Sequence, residues 1–222
     1  MSDEQQPIWK QAIKDASHPL HQATWLLFSE KMNSKGAAKL LAGQKEQVID
    51  YLFQVLDAEE LRLASAFGAG FAPSNAVNLL GEWKVIEAAP RLLNIIREDD
   101  WESLLHDRCI LALEEMGEPI IDQIIAFGDE FRDKRMEVTA ASILSHVGKG
   151  NARVFEWMTE VFKRQDDDFD TPFMAENLLS TDTQAAISFL EAYLQKTKVP
   201  KATAQRIQSY LKTAREGKWG IL

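Results

Sequence analysis

One recurrence constrains this chain more than any other feature. Short apolar stretches that end in a turn residue return at intervals of roughly 30–40 residues, each followed by an amphipathic stretch. The turn glycines Gly43, Gly81, Gly117 and Gly148 stand 38, 36 and 31 residues apart, and Ser180 follows 32 residues later. The stretches read Ala76–Gly81 then Glu87–Ile96, Ile110–Gly117 then Ile120–Ile125, Ala140–Gly148 then Arg153–Met158, and Phe173–Ser180 then Ala185–Leu190. Ala37–Gly43 with Val48–Leu52 is a weaker copy. The apolar spacing within them is helical, and no run alternates with a period of two, so strands are not expected. One helix pair cannot cover its own apolar face; stacking on the next pair removes that face from water, at about 25 cal/mol per Å².

Other breaks place the remaining elements. Residues 6–16 and 20–33 read as short helices around Ser17-His18-Pro19, residues 35–42 and 44–56 as a pair broken at Gly43, and residues 57–66 as a further short helix. Phe67-Gly68-Ala69-Gly70-Phe71-Ala72-Pro73 reads as a breaker-rich loop, with Ser74 as N-cap of the next helix. Small residues such as Ala76, Ala112, Ala141 and Ala175 should let helices approach closely. The turn glycines should end first helices in the left-handed conformation.

Composition limits function more by exclusion. With 45% hydrophobic and 27% charged residues the chain is not a disordered one. No apolar run approaches the ~20 residues a bilayer demands, so no membrane span is expected. The acidic N-terminus has no apolar core of a secretory signal, and one cysteine, Cys109, cannot form an internal disulfide; both fit a reducing cytoplasm. The formal charge of −9, from 25 basic and 34 acidic residues, argues against a nucleic-acid partner. Charge is uneven: Lys196–Leu222 holds seven basic residues and one acidic, which suits a solvated terminal helix or a contact for an acidic surface.

Leu80-Gly81-Glu82-Trp83-Lys84-Val85-Ile86-Glu87-Ala88-Ala89-Pro90-Arg91-Leu92-Leu93 resembles a HEAT repeat, specifically the short HEAT-like repeats named after phycobilisome lyases. Pro90 falls on that family's proline, in the first turn of a second helix, where its missing N–H does no harm. Leu113–Ile125 match a shortened version with Asp122 near the proline position, and the units at Gly148, Ser180 and Gly43 are looser. The resemblance implies an all-α, right-handed superhelix of the HEAT/armadillo type. It would have about five helix pairs over residues 36–195, a helical cap over 1–35, and a basic capping helix and tail over 196–222, all in one domain.

It also implies that second helices line a concave surface. The polar positions expected there are Glu87, Arg91, Asn94 and Arg97, then Asp122 and Gln123, then Arg153, Glu156, Trp157 and Glu160, then Gln184, Ser188 and Glu191. Glu87, Arg91 and Asn94 share a helix face at i, i+4 and i+7, as do Arg153, Trp157 and Glu160. The expected role is a non-enzymatic scaffold for a protein or peptide with a basic surface. Alternatives are a lyase-like or protein-modifying enzyme using the same groove, and an accessory domain that dimerises through its C-terminal helix.

Other constellations carry less. No histidine stands in the His-Glu pairing of the iron-dependent hydroxylases that share such repeats. His18-x-x-His21 lacks the third ligand zinc needs, so no metal or cofactor is expected. Asp166-Asp167-Asp168 with Asp170 misses the glycine and glutamate positions of an EF-hand and reads as an acidic loop before a helix. Gly68-x-Gly70 hints at an anion loop without the strand and Lys-Ser/Thr of a phosphate-binding loop. Cys109, on an apolar face with Leu113 and Met116, reads as a buried structural thiol rather than a nucleophile. The six tryptophans (Trp9, Trp25, Trp83, Trp101, Trp157, Trp219) read chiefly as packing between repeats, with Trp83 and Trp157 as possible anchors on the concave face.

Overall fold

The computed structural model describes residues 7–131, 134–165 and 169–219. Among them the chain is helices and turns throughout, with no strand. Two compact units divide it, Met1–Met116 and Gly117–Leu222. The all-α reading therefore holds. The run Asp166-Asp167-Asp168 lies outside the described residues.

The first unit contains α1 (Ile8–Lys14), α2 (His21–Leu27), α3 (Ser34–Leu40), α4 (Lys45–Asp57), α5 (Phe71–Glu82), α6 (Ala89–Glu98) and α7 (Leu104–Met116). Helices α3, α5 and α7 lie side by side in one row, with α4 packed on α5 and α6 on α7. Helix α5 is the centre of this unit. It is apolar almost all round, and Ala72, Ala76, Val77, Leu79 and Leu80 are fully enclosed, the condition in which such a helix is stable. Its buried Asn75 donates to the carbonyls of Leu27 (2.7 Å) and Ser29 (2.8 Å), which fixes the end of α2 on α5.

The second unit contains α8 (Ile121–Phe131), α9 (Lys134–Val147), α10 (Ala152–Arg164), α11 (Asp170–Thr181), α12 (Thr183–Lys196) and α13 (Lys201–Arg215). Here α9, α11 and α13 form a row; α8 packs on α9, α10 on α9 and α11, and α12 on α11 and α13. Asn151 caps α10 by accepting from the Arg153 and Val154 amides, and Asp182 caps α12 by accepting from Ala185. Each satisfies an N–H that the helix cannot.

Several local expectations need correction. Residues Phe71–Pro73 are not loop but the first turn of α5, where a proline costs nothing. Ser74 is consequently inside the helix, and Gly70, left-handed at φ 81°, holds the N-cap position. Residues 57–66 are not a helix: α4 runs through Asp57, and a 3-10 turn, Glu59–Arg62, follows. Of the four turn glycines only Gly117 is left-handed (φ 78°). Lys84, at φ 50°, turns the chain after α5, and Gly150 after α9. Gly81 serves another purpose. A Cβ there would lie 2.9 Å from the Ala112 Cα and 2.6 Å from Glu115 Oε2, so its absence lets α5 and α7 approach backbone to backbone.

Candidate functional site: the faces of the second helices

In the first unit the second helices are α4 and α6. Arg91 of α6 lies over the Phe53 ring of α4, its guanidinium carbon 4.5 Å from the centroid, and its Nε stands 3.5 Å from Asp57. Between the two helices runs an open groove of about 500 Å³ bordered by Asp57, Glu59, Arg62, Arg91, Asn94 and Glu98. Its cations are engaged by the groove's own acceptors. Arg97 donates to Asn94 and to Glu98 (2.7 Å), and Arg62 donates to the Leu56 carbonyl (3.2 Å). The hydrogen bond from Arg97 holds the Glu98 carboxyl below its ordinary range. Glu59 is exposed and forms no ion pair with any described residue. Glu87 is exposed too, but it lies in the 3-10 turn Ile86–Ala88 ahead of α6 and does not border the groove, so it does not share a helix face with Arg91 and Asn94 as expected.

The corresponding helices of the second unit are α8 and α10. Arg153 donates to Asp122 at 2.5 Å, and the Trp157 indole N–H donates to Asp129 at 2.9 Å. Trp157 lies against the α8 backbone at Gly128, where a Cβ would come within 2.6 Å of the ring. Glu160 accepts from Lys163 at 2.6 Å, which lowers its carboxyl, and Glu156 is exposed. On α12 the Ser188 hydroxyl donates back to Gln184, and Glu191 pairs with Arg215 of α13 beside a second cavity of about 500 Å³. Phe162 of α10 meets Phe189 and Tyr193 of α12 edge-on at 5.5 and 4.9 Å.

The structure thus gathers Arg91 and Asn94 at one groove and ties Arg97 beside it. It joins Asp122, Arg153 and Trp157 on another face, where they act as straps between helices. Gln123 is half-buried, with its Oε1 enclosed and unpaired, so it does not share Asp122's exposure. Glu191 faces α13. Sequence reasoning missed Phe53, Asp57, Glu59 and Glu98. The spacing of Arg91, Asn94 and Glu98 at i, i+3 and i+7 carried the signal for Glu98; Phe53 and Asp57 stand at i and i+4 in the weakest copy of the repeat.

The remaining candidates find ordinary roles. His18 Nδ1 accepts from the Leu20 amide at 3.1 Å, and His21 Nδ1 lies 2.7 Å from the Ala12 carbonyl. Cys109 is enclosed, and burial pushes its thiol well above the usual range. Trp83 donates to the Ala38 carbonyl at 3.3 Å, tying α5's end to α3. Trp25 and Trp101 are exposed. No helix among the described residues is long and apolar enough to cross a membrane. No protein-family model, curated protein or solved structure matches this chain.

Proposed function

We propose that this protein is a HEAT-like scaffold whose α4/α6 groove binds a basic protein or peptide segment. The stacking of helix hairpins within each unit supports the HEAT-like reading, because such stacks leave extended faces rather than enclosed clefts. The groove's charge state carries the choice of partner. Its arginines are already engaged by Phe53, Asp57, Asn94, Glu98 and a backbone carbonyl, while Glu59 is left over. Spare negative charge beside an apolar floor of Leu56 and Ile95 suits a Lys/Arg-bearing chain with aliphatic stems. A cytoplasmic setting goes with this reading, since the one cysteine is a buried thiol and not half of a bridge.

Fluorescence anisotropy with a labelled nona-lysine peptide tests it. Asp57→Lys/Glu59→Lys should weaken binding about tenfold or more, and salt should weaken wild-type binding steeply. Glu118→Lys/Glu130→Lys in the second unit makes the same change in net charge and should weaken it far less. Equal losses in both double variants would mean that only net charge is felt and the groove is not the site.

A further inference from the structure

A third, smaller cavity of about 280 Å³ lies at the start of α5. Arg62, Gly70, Phe71, Ser74, Asp99 and Ser103 surround it. Three successive residues before the helix, Gly68, Ala69 and Gly70, are left-handed (φ 76°, 51° and 81°). The Ala69 and Phe71 amides are taken up by the carbonyls of Ala66 and Gly68, and the cavity lies beside the positive end of a 12-residue helix that has no side-chain cap. Two side chains leave donors unused. Ser74 is only 4% exposed, yet its hydroxyl makes no hydrogen bond with any described residue. Arg62 Nε is enclosed and bonded to nothing, although its Nη2 reaches the Leu56 carbonyl. Enclosed donors such as Arg62 Nε are seldom left unpaired in folded proteins, while the Ser74 hydroxyl, on an otherwise buried residue, keeps surface at the cavity where an acceptor can reach it.

Asp99 decides what that acceptor is. Its Oδ2 accepts the Ser103 hydroxyl at 2.6 Å. A carboxylate has about four acceptor positions, so it can take a further donor. A multiply charged anion would meet Asp99 face on. A carboxylate carrying an N–H on the adjacent carbon would instead place its oxygens on Ser74 and Arg62 and its nitrogen toward Asp99. Leu104 and Leu105 offer a small apolar wall for a side chain. The volume is slightly below the ~300 Å³ lower bound of drug-sized sites, which suits one residue rather than a length of chain. We propose that this cavity captures the carboxylate and adjacent nitrogen of a single α-amino-acid residue, as a peptide C-terminus or as a free amino acid. Arg62 also borders the α4/α6 groove, but the inference stands without that groove's reading, because its probes carry no net positive charge.

The test is amide-resolved NMR titration of the full chain with N-acetyl-leucine, N-acetyl-leucinamide and free leucine, each to about 10 mM. N-acetyl-leucine should shift the Gly70 and Phe71 amides, and the amide analogue should bind roughly tenfold more weakly or worse, as expected when a charged hydrogen bond is lost. Free leucine binding more tightly than N-acetyl-leucine would identify the free amino acid as the source; the reverse would identify a peptide terminus. Ser74→Ala loses no internal hydrogen bond, so it should fold as the parent does and weaken binding several-fold. Arg62→Gln should weaken it further. Equal shifts from acid and amide, no shifts from either acid, or undiminished binding in Ser74→Ala would each overturn the proposal.

Discussion

The two units solve the same problem, joining one second helix to the next, in opposite ways. Between α4 and α6 an arginine lies over a phenylalanine and reaches an aspartate, and the space beyond stays open. Between α8 and α10 an arginine again reaches an aspartate, but Trp157 fills the gap and Gly128 gives it room. The difference teaches where binding capacity can reside in a stack of hairpins. The tight rows of first helices set the fold through small residues. The second helices are held by side chains on their faces, and the size of those side chains decides whether a groove remains.

The tight row should be the less forgiving. Gly81→Val places methyls against the α7 backbone at Ala112, where neither helix can yield without separating. About 3 kcal/mol of stability should be lost in urea denaturation, as overpacking a close contact predicts, even after the modest gain from replacing a glycine in the last turn of α5. Ala112→Gly in the same chain should recover part of it. A neutral or stabilised Gly81→Val would show that α5 and α7 do not rely on their close approach.

The filled face should respond next most strongly. Trp157→Ala removes a half-buried ring and should cost about 2 kcal/mol, less than a fully enclosed tryptophan would. It should also convert the α8/α10 face into a groove like that of α4/α6. Faster hydrogen exchange of the amides around Gly128 would record the opening. Unchanged exchange, with stability intact, would mean that the ring rests on the surface without filling anything.

The two arginine straps should rank below both and differ from each other. Arg91→Ala loses a cation–π contact together with an ion pair, about 1 kcal/mol. Arg153→Ala loses an exposed ion pair alone, about 0.5 kcal/mol and less at high salt. Equal costs for the two would remove the aromatic contact as a distinguishing feature of the open groove.

These contrasts also mark how far the sequence could be read. Helix type and order were legible because the apolar spacing is consistent, and Pro90 indeed sits in the first turn of α6. The start of α5 was not, since Phe71-Ala72-Pro73 has breaker composition and only the packing around α5 makes it helical. Gly81 was legible as important but not for its reason, which depends on a residue 31 positions away. The partition of site residues was hidden for the same cause. Arg153 and Trp157 become straps only because Asp122, Asp129 and Gly128 come opposite them, and no local pattern encodes that pairing.

The smallest effect concerns one carboxylate in the tight row itself. Glu115 of α7 stands near Glu82 of α5, and its carboxyl is raised above the ordinary range, first by partial burial and then by Glu82's charge. A carboxyl raised in the folded state costs stability once the pH lies above its folded value. That cost disappears as the pH falls through the folded value toward the unfolded one. Glu115→Gln should therefore raise the melting temperature at pH 7 by roughly a degree, with the advantage fading as pH is lowered through the carboxylate range. Glu98 and Glu160, held low by Arg97 and Lys163, run the other way: their small contributions exist above the ordinary carboxylate value and are lost on acidification. Replacing either with glutamine should thus lower the neutral-pH melting point slightly. Melting curves of Glu115→Gln and Glu160→Gln at pH 7 and pH 4 separate the two signs. If Glu115→Gln fails to raise the melting point at pH 7, the close approach of α5 and α7 carries no electrostatic cost, and sterics alone distinguish that row.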